Sequence, residues 1–362
     1  MKRKKLLIIA GVAAILAAGL FALRPAYMPS DPRPVVRIGV ILPLSGNMAH
    51  MGQMIRKAID FAIEDVNKNP DNRFVYHAVF EDNQMQTRLT VPIANKMISR
   101  HRVSAMVTLF SANAYATAPV LVRNQIIGLH GTGVIGARDG VYNFTLQPAS
   151  TEFIRSISEF AKSRNFERVA LSIQPAGTTI ELLEGLHGNL PGEVRRFDSN
   201  DGDRDFAMMV RGINEFQPDL IFVGINPPAL NIFGREMHLQ RVGATQLHFG
   251  LVGLTDDFSL FEGAYSVDVS QGNDEFIERI GSSVTFFSPL FYDGIVVFAK
   301  AVETAASDSD AIPSAEDISA AMKRIRRHEG VAGHIDITDH GAFLSSAVLH
   351  RIENNRPVLV SY

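Results

Sequence analysis

The stretch Ala105–Val122, AMVTLFSANAYATAPVLV, decides how the chain is read. A mostly apolar run ends in the small polar trio Ser111-Ala112-Asn113. An alanine-rich segment with helical spacing at Ala114, Ala118, Leu121 and Val122 follows. A strand that turns straight into a helix leaves backbone N–H groups without partners at the helix start. Those amides, with the positive end of the helix dipole, suit an anion. Taken alone, the turn is equally an ordinary βα connection, and a second such turn beside it would give it meaning.

The same rhythm runs outward in both directions. Upstream, Val36–Leu42 is an apolar run of strand length, and Ile55, Ala58, Ile59, Ala62, Ile63 and Val66 make one face of a helix. Arg73–Glu81 reads as a strand, Leu89–Ile98 as a helix, Asn113–Arg123 as a helix, and Ile126–Leu129 and Tyr142–Leu146 as strands. Downstream the alternation repeats. Strands at Arg168–Ile173, Val194–Phe197, Leu220–Gly224 and Gln246–Leu251 are separated by helices at Thr179–Leu190, Phe206–Phe216 and Ala229–Arg241. Leu290–Ala306 and Ala315–Arg326 are further helices, and Ala332–Val360 reads as closing strands around Asp339-His340-Gly341.

Alternation of this kind means α/β architecture, here two doubly wound parallel-sheet lobes. The expected division is 36–144 plus 271–330 for the first lobe and 145–270 plus 331–362 for the second. Open parallel sheets bind ligands beyond the carboxyl ends of their strands, where strand order reverses. In the first lobe those ends are Pro43–Met51, with Ser45; Ser111, Ala112 and Asn113; and His130–Gly133, with Gly131, Thr132 and Gly133. A ligand is expected in the cleft between the lobes.

Composition sets the bounds. The chain has 362 residues, 46% hydrophobic and 20% charged, enough for two lobes with their own cores. A net charge of −3 gives no electrostatic footprint for nucleic acid. Without cysteine there are no disulfides, thiolate metal sites, cysteine nucleophiles or lipoprotein anchor. Lys2-Arg3-Lys4-Lys5 precedes the uncharged run Leu6–Leu23, the grammar of an export signal or a membrane anchor. Residues 1–27 are therefore expected to send the rest outside the cytoplasm, cleaved or retained. Residues 28–35, which overlap the proline-rich Pro25–Pro34 region, read as a linker.

Motifs of catalysis do not emerge. Gly131-Thr132-Gly133-Val134-Ile135-Gly136 fits the dinucleotide fingerprint only superficially, because Arg138-Asp139-Gly140 is a turn where a helix should run. Asp198-Ser199-Asn200-Asp201-Gly202 has its glycine at the wrong place for a calcium loop. His328, Glu329 and His334 have the wrong spacing for zinc. Ser111 has no nucleophile elbow around it. No enzyme, cofactor or metal is expected.

The segment Ile38-Gly39-Val40-Ile41-Leu42-Pro43-Leu44-Ser45-Gly46, then Gly52, Ala58-Ile59-Asp60-Phe61-Ala62 and Asp65-Val66-Asn67, resembles the opening of type I periplasmic binding proteins. The similarity is to the leucine/isoleucine/valine-binding branch of ABC transporter substrate-binding proteins. It continues through Glu81-Asp82, Ala94–Ile98, Val169-Ala170-Leu171, Asp205-Phe206, Pro218-Asp219 and Tyr292-Asp293-Gly294. The resemblance implies two lobes joined by a three-crossover hinge, a small-molecule ligand, an ABC-type permease as partner and a monomer. It puts Ser111 and the Thr132-Gly133 turn on the ligand's carboxylate and Met51 against its tail, and Tyr292 joins the candidate contacts.

In the second lobe the pattern departs from the family. Pro175-Ala176-Gly177 and Asn226-Pro227-Pro228 stand where members often carry aromatic residues, and Val252 stands where an acid pairs with an ammonium. Ala176, Asn226 and Val252 are the candidate contacts there. A buried ammonium needs a charged or well-bonded partner, so the expected ligand is small, amino-acid-like or carboxylate-bearing, and more apolar than a typical amino acid unless Asp256 or Asp257 substitutes. The alternative role is a membrane-anchored sensory or assembly module of the same fold.

Overall fold

The structure, a computed structural model, describes residues 31–360 apart from 176–177, 201, 256, 282–284, 286, 308 and 346. The N-terminal segment 1–27 lies outside the described residues. β1 (Val35–Leu42) leads through α1 (Ala49–Lys68) to β2 (Val75–Asp82), and α2 (Thr87–Lys96) leads to β3 (Ala105–Leu109). Next come α3 (Ser111–Asn124), β4 (Ile127–Gly131) and β5 (Asn143–Thr145). These five strands make one all-parallel sheet in the order β2-β1-β3-β4-β5. β3 is buried along its whole length, as a central parallel strand covered on both faces must be. The apolar face of α1 buries Ile55, Ala58, Ile59, Ala62 and Val66, five of the six residues that its spacing predicts; Ile63 stays partly exposed.

The second sheet repeats the order. α4 (Ser150–Ser163), β6 (Arg168–Ile173), α5 (Thr178–Asn189), β7 (Glu193–Asp198), α6 (Ala207–Phe216) and β8 (Leu220–Gly224) are followed by α7 (Ala229–Leu239) and β9 (Thr245–Phe249). Then come the short α8 (Leu251–Leu254) and β10 (Tyr265–Val269). Its parallel part runs β7-β6-β8-β9-β10, the pattern of the first sheet. Each sheet therefore has one switch point, between β1 and β3 and between β6 and β8.

The C-terminal part departs from the sequence reading. α9 (Asp274–Ile280), α10 (Phe287–Ala306) and α11 (Ala315–Lys323) precede a small antiparallel sheet of β11 (His328–Gly330), β12 (Gly333–Ile337) and β13 (Phe343–Leu344). This sheet belongs with the first lobe, whereas residues 331–362 were expected in the second. Asp293 on α10 is the cause: its carboxylate accepts the amides of Val331 and Ala332 at 2.8 and 2.9 Å. Thr145 also bridges Ala342, and its amide donates to Gly341 O at 2.9 Å. Only β14 (Ala347–Glu353) and β15 (Arg356–Val360) join the second sheet, antiparallel to β10. Their hairpin turns at Asn354-Asn355, with φ of 53° and 58°, not at Asp339-His340-Gly341. The chain thus passes between the sheets after Thr145, after Val269 and between Leu344 and Ala347.

Two histidines are buried in the sheets, and one of them fixes strand register. His130 Nδ1 lies 2.7 Å from Thr108 Oγ1 and its Nε2 lies 2.8 Å from Asn143 Oδ1, tying β3, β4 and β5 together. Because Asn143 Nδ2 donates to Asp139, its Oδ1 is the acceptor and His130 Nε2 carries the proton. Burial holds His130 down at about 4. His248 on β9 packs edge-on against Phe261, and burial holds it at about 3.

A histidine with a depressed folded-state pKa is protonated first in the unfolded chain, so its contribution is lost as pH falls below the ordinary value near 6.5. His248→Leu should therefore gain on the parent protein by up to about 1.4 kcal/mol per pH unit as pH falls from 6.5 towards 3. Above pH 7 the difference should be flat. Urea unfolding at a series of pH values measures it.

Candidate functional site

The turn that follows β3 sets the site. Phe110 takes φ 69° and ψ 152°, a region that is nearly glycine-only. Its amide donates to Gly131 O at 3.2 Å and its carbonyl accepts Ala114 N at 3.1 Å, so both its polar groups are held. The helix begins at Ser111, two residues earlier than the spacing predicts. Ser111, Ala112 and Asn113 thereby occupy its first turn, where amides have no intrahelical acceptor. No side chain caps this terminus. Ser111 Oγ lies 2.9 Å from Thr132 Oγ1, which places two hydroxyls beside the amides.

This terminus opens on a cavity of about 670 Å³ between the lobes. The first lobe supplies Asn47, Met48, His50 and Met51, then Met85, Phe110, Ser111, Ala112, Gly131 and Thr132. The second supplies Thr179, Gly224, Asn226 and Pro227, then Phe249 through Thr255 apart from the buried Leu251. Gln147 lies on the first crossover, and Thr285 and Phe287 close the floor. Both switch points therefore border one space, with Ser111 beyond β3 and Asn226 beyond β8. Among the described lining residues there is no Asp, Glu, Lys or Arg. The walls are apolar and polarisable, with three methionines, Val252, Leu254 and the rings of Phe110, Phe249 and Phe287. Phe110 and Phe287 meet edge-on with centroids 5.6 Å apart, and Phe249 meets Phe153 edge-on at 5.0 Å.

Of the residues singled out in the sequence, Met51, Ser111, Ala112, Gly131, Thr132, Asn226 and Val252 line the cavity. Four others do not stand there. Ser45 donates to Asp82 Oδ2 at 2.5 Å and orders the loop after β1 instead. Asn113 is buried, donating to Leu109 O at 2.7 Å and accepting from Thr90 Oγ1 at 2.9 Å, so its side chain pins the helix to β3. Gly133 is required by packing, since a Cβ there would lie 2.5 Å from Pro148 O. Tyr292 faces α1, where its hydroxyl donates to Asp65 at 2.8 Å. Ala176 lies outside the described residues, as does Asp256. Asp257, the other substitute acid, is exposed and spends one oxygen on the Ser259 amide, 3.0 Å away.

Several cavity residues escaped the sequence reading. Phe249 restores an aromatic wall to the second lobe from a strand end, rather than from the two turns where one was sought. Phe110 read as the last residue of a strand, and nothing in its identity signals a positive φ. Met48 and Met85 lie on loops whose path only the fold defines.

The sequence profile of the periplasmic binding protein family matches residues 35–356. Among solved structures, the leucine-binding protein LivK of Thermotoga maritima superposes with a TM-score of 0.78 at 20% identity, over 90% of this chain and 98% of that one. A solute-binding protein of an ABC transporter from R. palustris, in complex with 4-hydroxybenzoate, gives 0.78 at 19% identity, over 91% and 96%. The branched-chain amino acid binding protein LivJ of Streptococcus pneumoniae, in complex with isoleucine, gives 0.75 at 17%, over 90% and 99%.

The two neighbouring polar residues should separate experimentally. Asn113→Ala should lower the unfolding free energy by about 1–3 kcal/mol, because it strands buried partners. Ser111→Ala should leave stability within about 0.5 kcal/mol of the parent. Equal losses in chemical denaturation would put Ser111 in the scaffold rather than the site.

Proposed function

Because the chain belongs to the periplasmic binding protein family, we propose that it is the extracytoplasmic solute-binding component of an ABC-type uptake system and clamps an apolar monocarboxylate between its lobes. The carrying observation is the asymmetry of the cavity. On one side stand the first-turn amides of α3 with the hydroxyls of Ser111 and Thr132, a set of donors suited to a carboxylate. On the other, Val252 and Leu254 occupy the wall with no acid among the described lining residues. An α-ammonium brought there would lose its water without gaining a counter-charge.

The protein binds its ligand and does no chemistry on it. Residues 1–27, basic and then apolar, serve to bring the rest of the chain outside the cytoplasm, and a permease receives the closed, loaded form. The chain acts as a monomer in this role. The membrane-anchored sensory alternative has no feature of the site in its favour.

Calorimetric titration of 3-phenylpropanoate, hexanoate and their α-amino counterparts, phenylalanine and norleucine, tests this. The plain acids should bind at least about ten-fold tighter, the factor that about 1.4 kcal/mol brings. Ser111→Ala should weaken their binding by about 1–2 kcal/mol, the scale of a hydrogen bond to a charged group. Tighter binding of the amino acids would overturn the reading.

A further inference from the structure

Beside the second-lobe wall of the cleft lies a small void of about 10 Å³. Gln147, Phe249 and Gly250 line both the void and the cleft, so the two adjoin. Gly250 adds no side chain there, and a Cβ on it would meet only Leu254, at 4.0 Å. Asp268 on β10 also lines the void. Its side chain is fully buried, and Oδ2 lies 3.2 Å from His350 Nδ1. Oδ1 is buried and has no hydrogen-bond partner in the protein. On the same strand and face, Ser266 Oγ accepts the Leu251 amide at 3.0 Å, so this face of β10 is elsewhere satisfied. A buried carboxylate oxygen without a donor is unusual, and a native fold that keeps one there calls for a reason. A void of this size takes about one water.

We infer that Asp268 is a specificity-determining residue: its free oxygen accepts, through one water in the void, a hydrogen bond relayed from a hydroxyl at the end of the ligand remote from Ser111. The inference rests on the proposed function and narrows its ligand class from apolar monocarboxylates to hydroxylated ones. Asp268 itself does not line the cleft, so the contact is indirect, and Gly250 leaves the way between them free of a side chain. His350 holds the other oxygen and so fixes which one faces the relay.

Titrations of the purified protein with benzoate, 3-phenylpropanoate and their 4-hydroxy and 4-methoxy derivatives provide the test. A 4-hydroxy acid should bind about ten-fold tighter than both its unsubstituted and its methoxy counterpart, the worth of one hydrogen bond. In Asp268→Asn the amide group would turn a donor towards the void. There the hydroxyl preference should fall below about three-fold while affinity for the unsubstituted acids stays within about two-fold. A merely structural Asp268 would weaken all six acids alike. Equal binding of hydroxy and methoxy acids by the parent protein overturns the inference, even if the variant does not fold. So does a hydroxyl preference that survives in Asp268→Asn. If the acids bind with no hydroxyl preference, Asp268 alone loses its role; if none of them binds, the monocarboxylate reading falls and takes this one with it.

Discussion

The backbone of Phe110 is the constraint on which the site depends. An L-residue with a side chain held at φ 69° and ψ 152° costs on the order of 1–3 kcal/mol, and persists only where surroundings over-determine it. Here the amide is held by β4, the carbonyl by the first turn of α3, and the ring by Phe287. The return is directional. Without that reversal the chain would leave β3 with its amides in the sheet ladder, and the first turn of α3 would not face the cleft. The position also ties the donor set to two strands at once, with Ser111 and Thr132 2.9 Å apart.

Among its described lining residues the cavity offers dipoles rather than carboxylates, ammoniums or guanidiniums. Oriented amides and hydroxyls can hold one anionic group without placing a fixed charge in the wall, which leaves the remaining surface free to be apolar. Methionine side chains at Met48, Met51 and Met85 adapt to the outline of a ligand more readily than branched ones would. Selectivity in such a site comes from what it leaves unmatched as much as from what it binds, because a polar group stripped of water finds no partner on the apolar side.

Much of this fold was legible because each lobe repeats one local grammar. The α1 spacing from Ile55 to Val66 and the apolar runs of β1, β3 and β8 have the periods that their burial demands, and the turn after β3 marked a helix start that lines the cavity. The residues misplaced by sequence reasoning failed for physical reasons. Asn113 looks like a site residue, but its amide is consumed by β3 and α2. Ser45 sits at a strand end yet its hydroxyl serves Asp82. The C-terminal segment was assigned by order along the chain, while the partners of Val331 and Thr145 are set by contacts across roughly 40 to 200 residues, which no local pattern carries. Phe249 was missed because its strand ends one residue before a glycine with φ 74°, and the aromatic wall was sought in the loops rather than on the strand.

The bridge between Thr145 and Ala342 bears on how the molecule can move. Two of the three chain segments that leave the first lobe do so side by side, joined by a hydrogen bond just before they cross. Three independent tethers would permit twisting as well as bending. Tethers paired in this way act as a strip, and a strip folds about one line. Any bending between the lobes along these segments would thereby follow nearly a single coordinate.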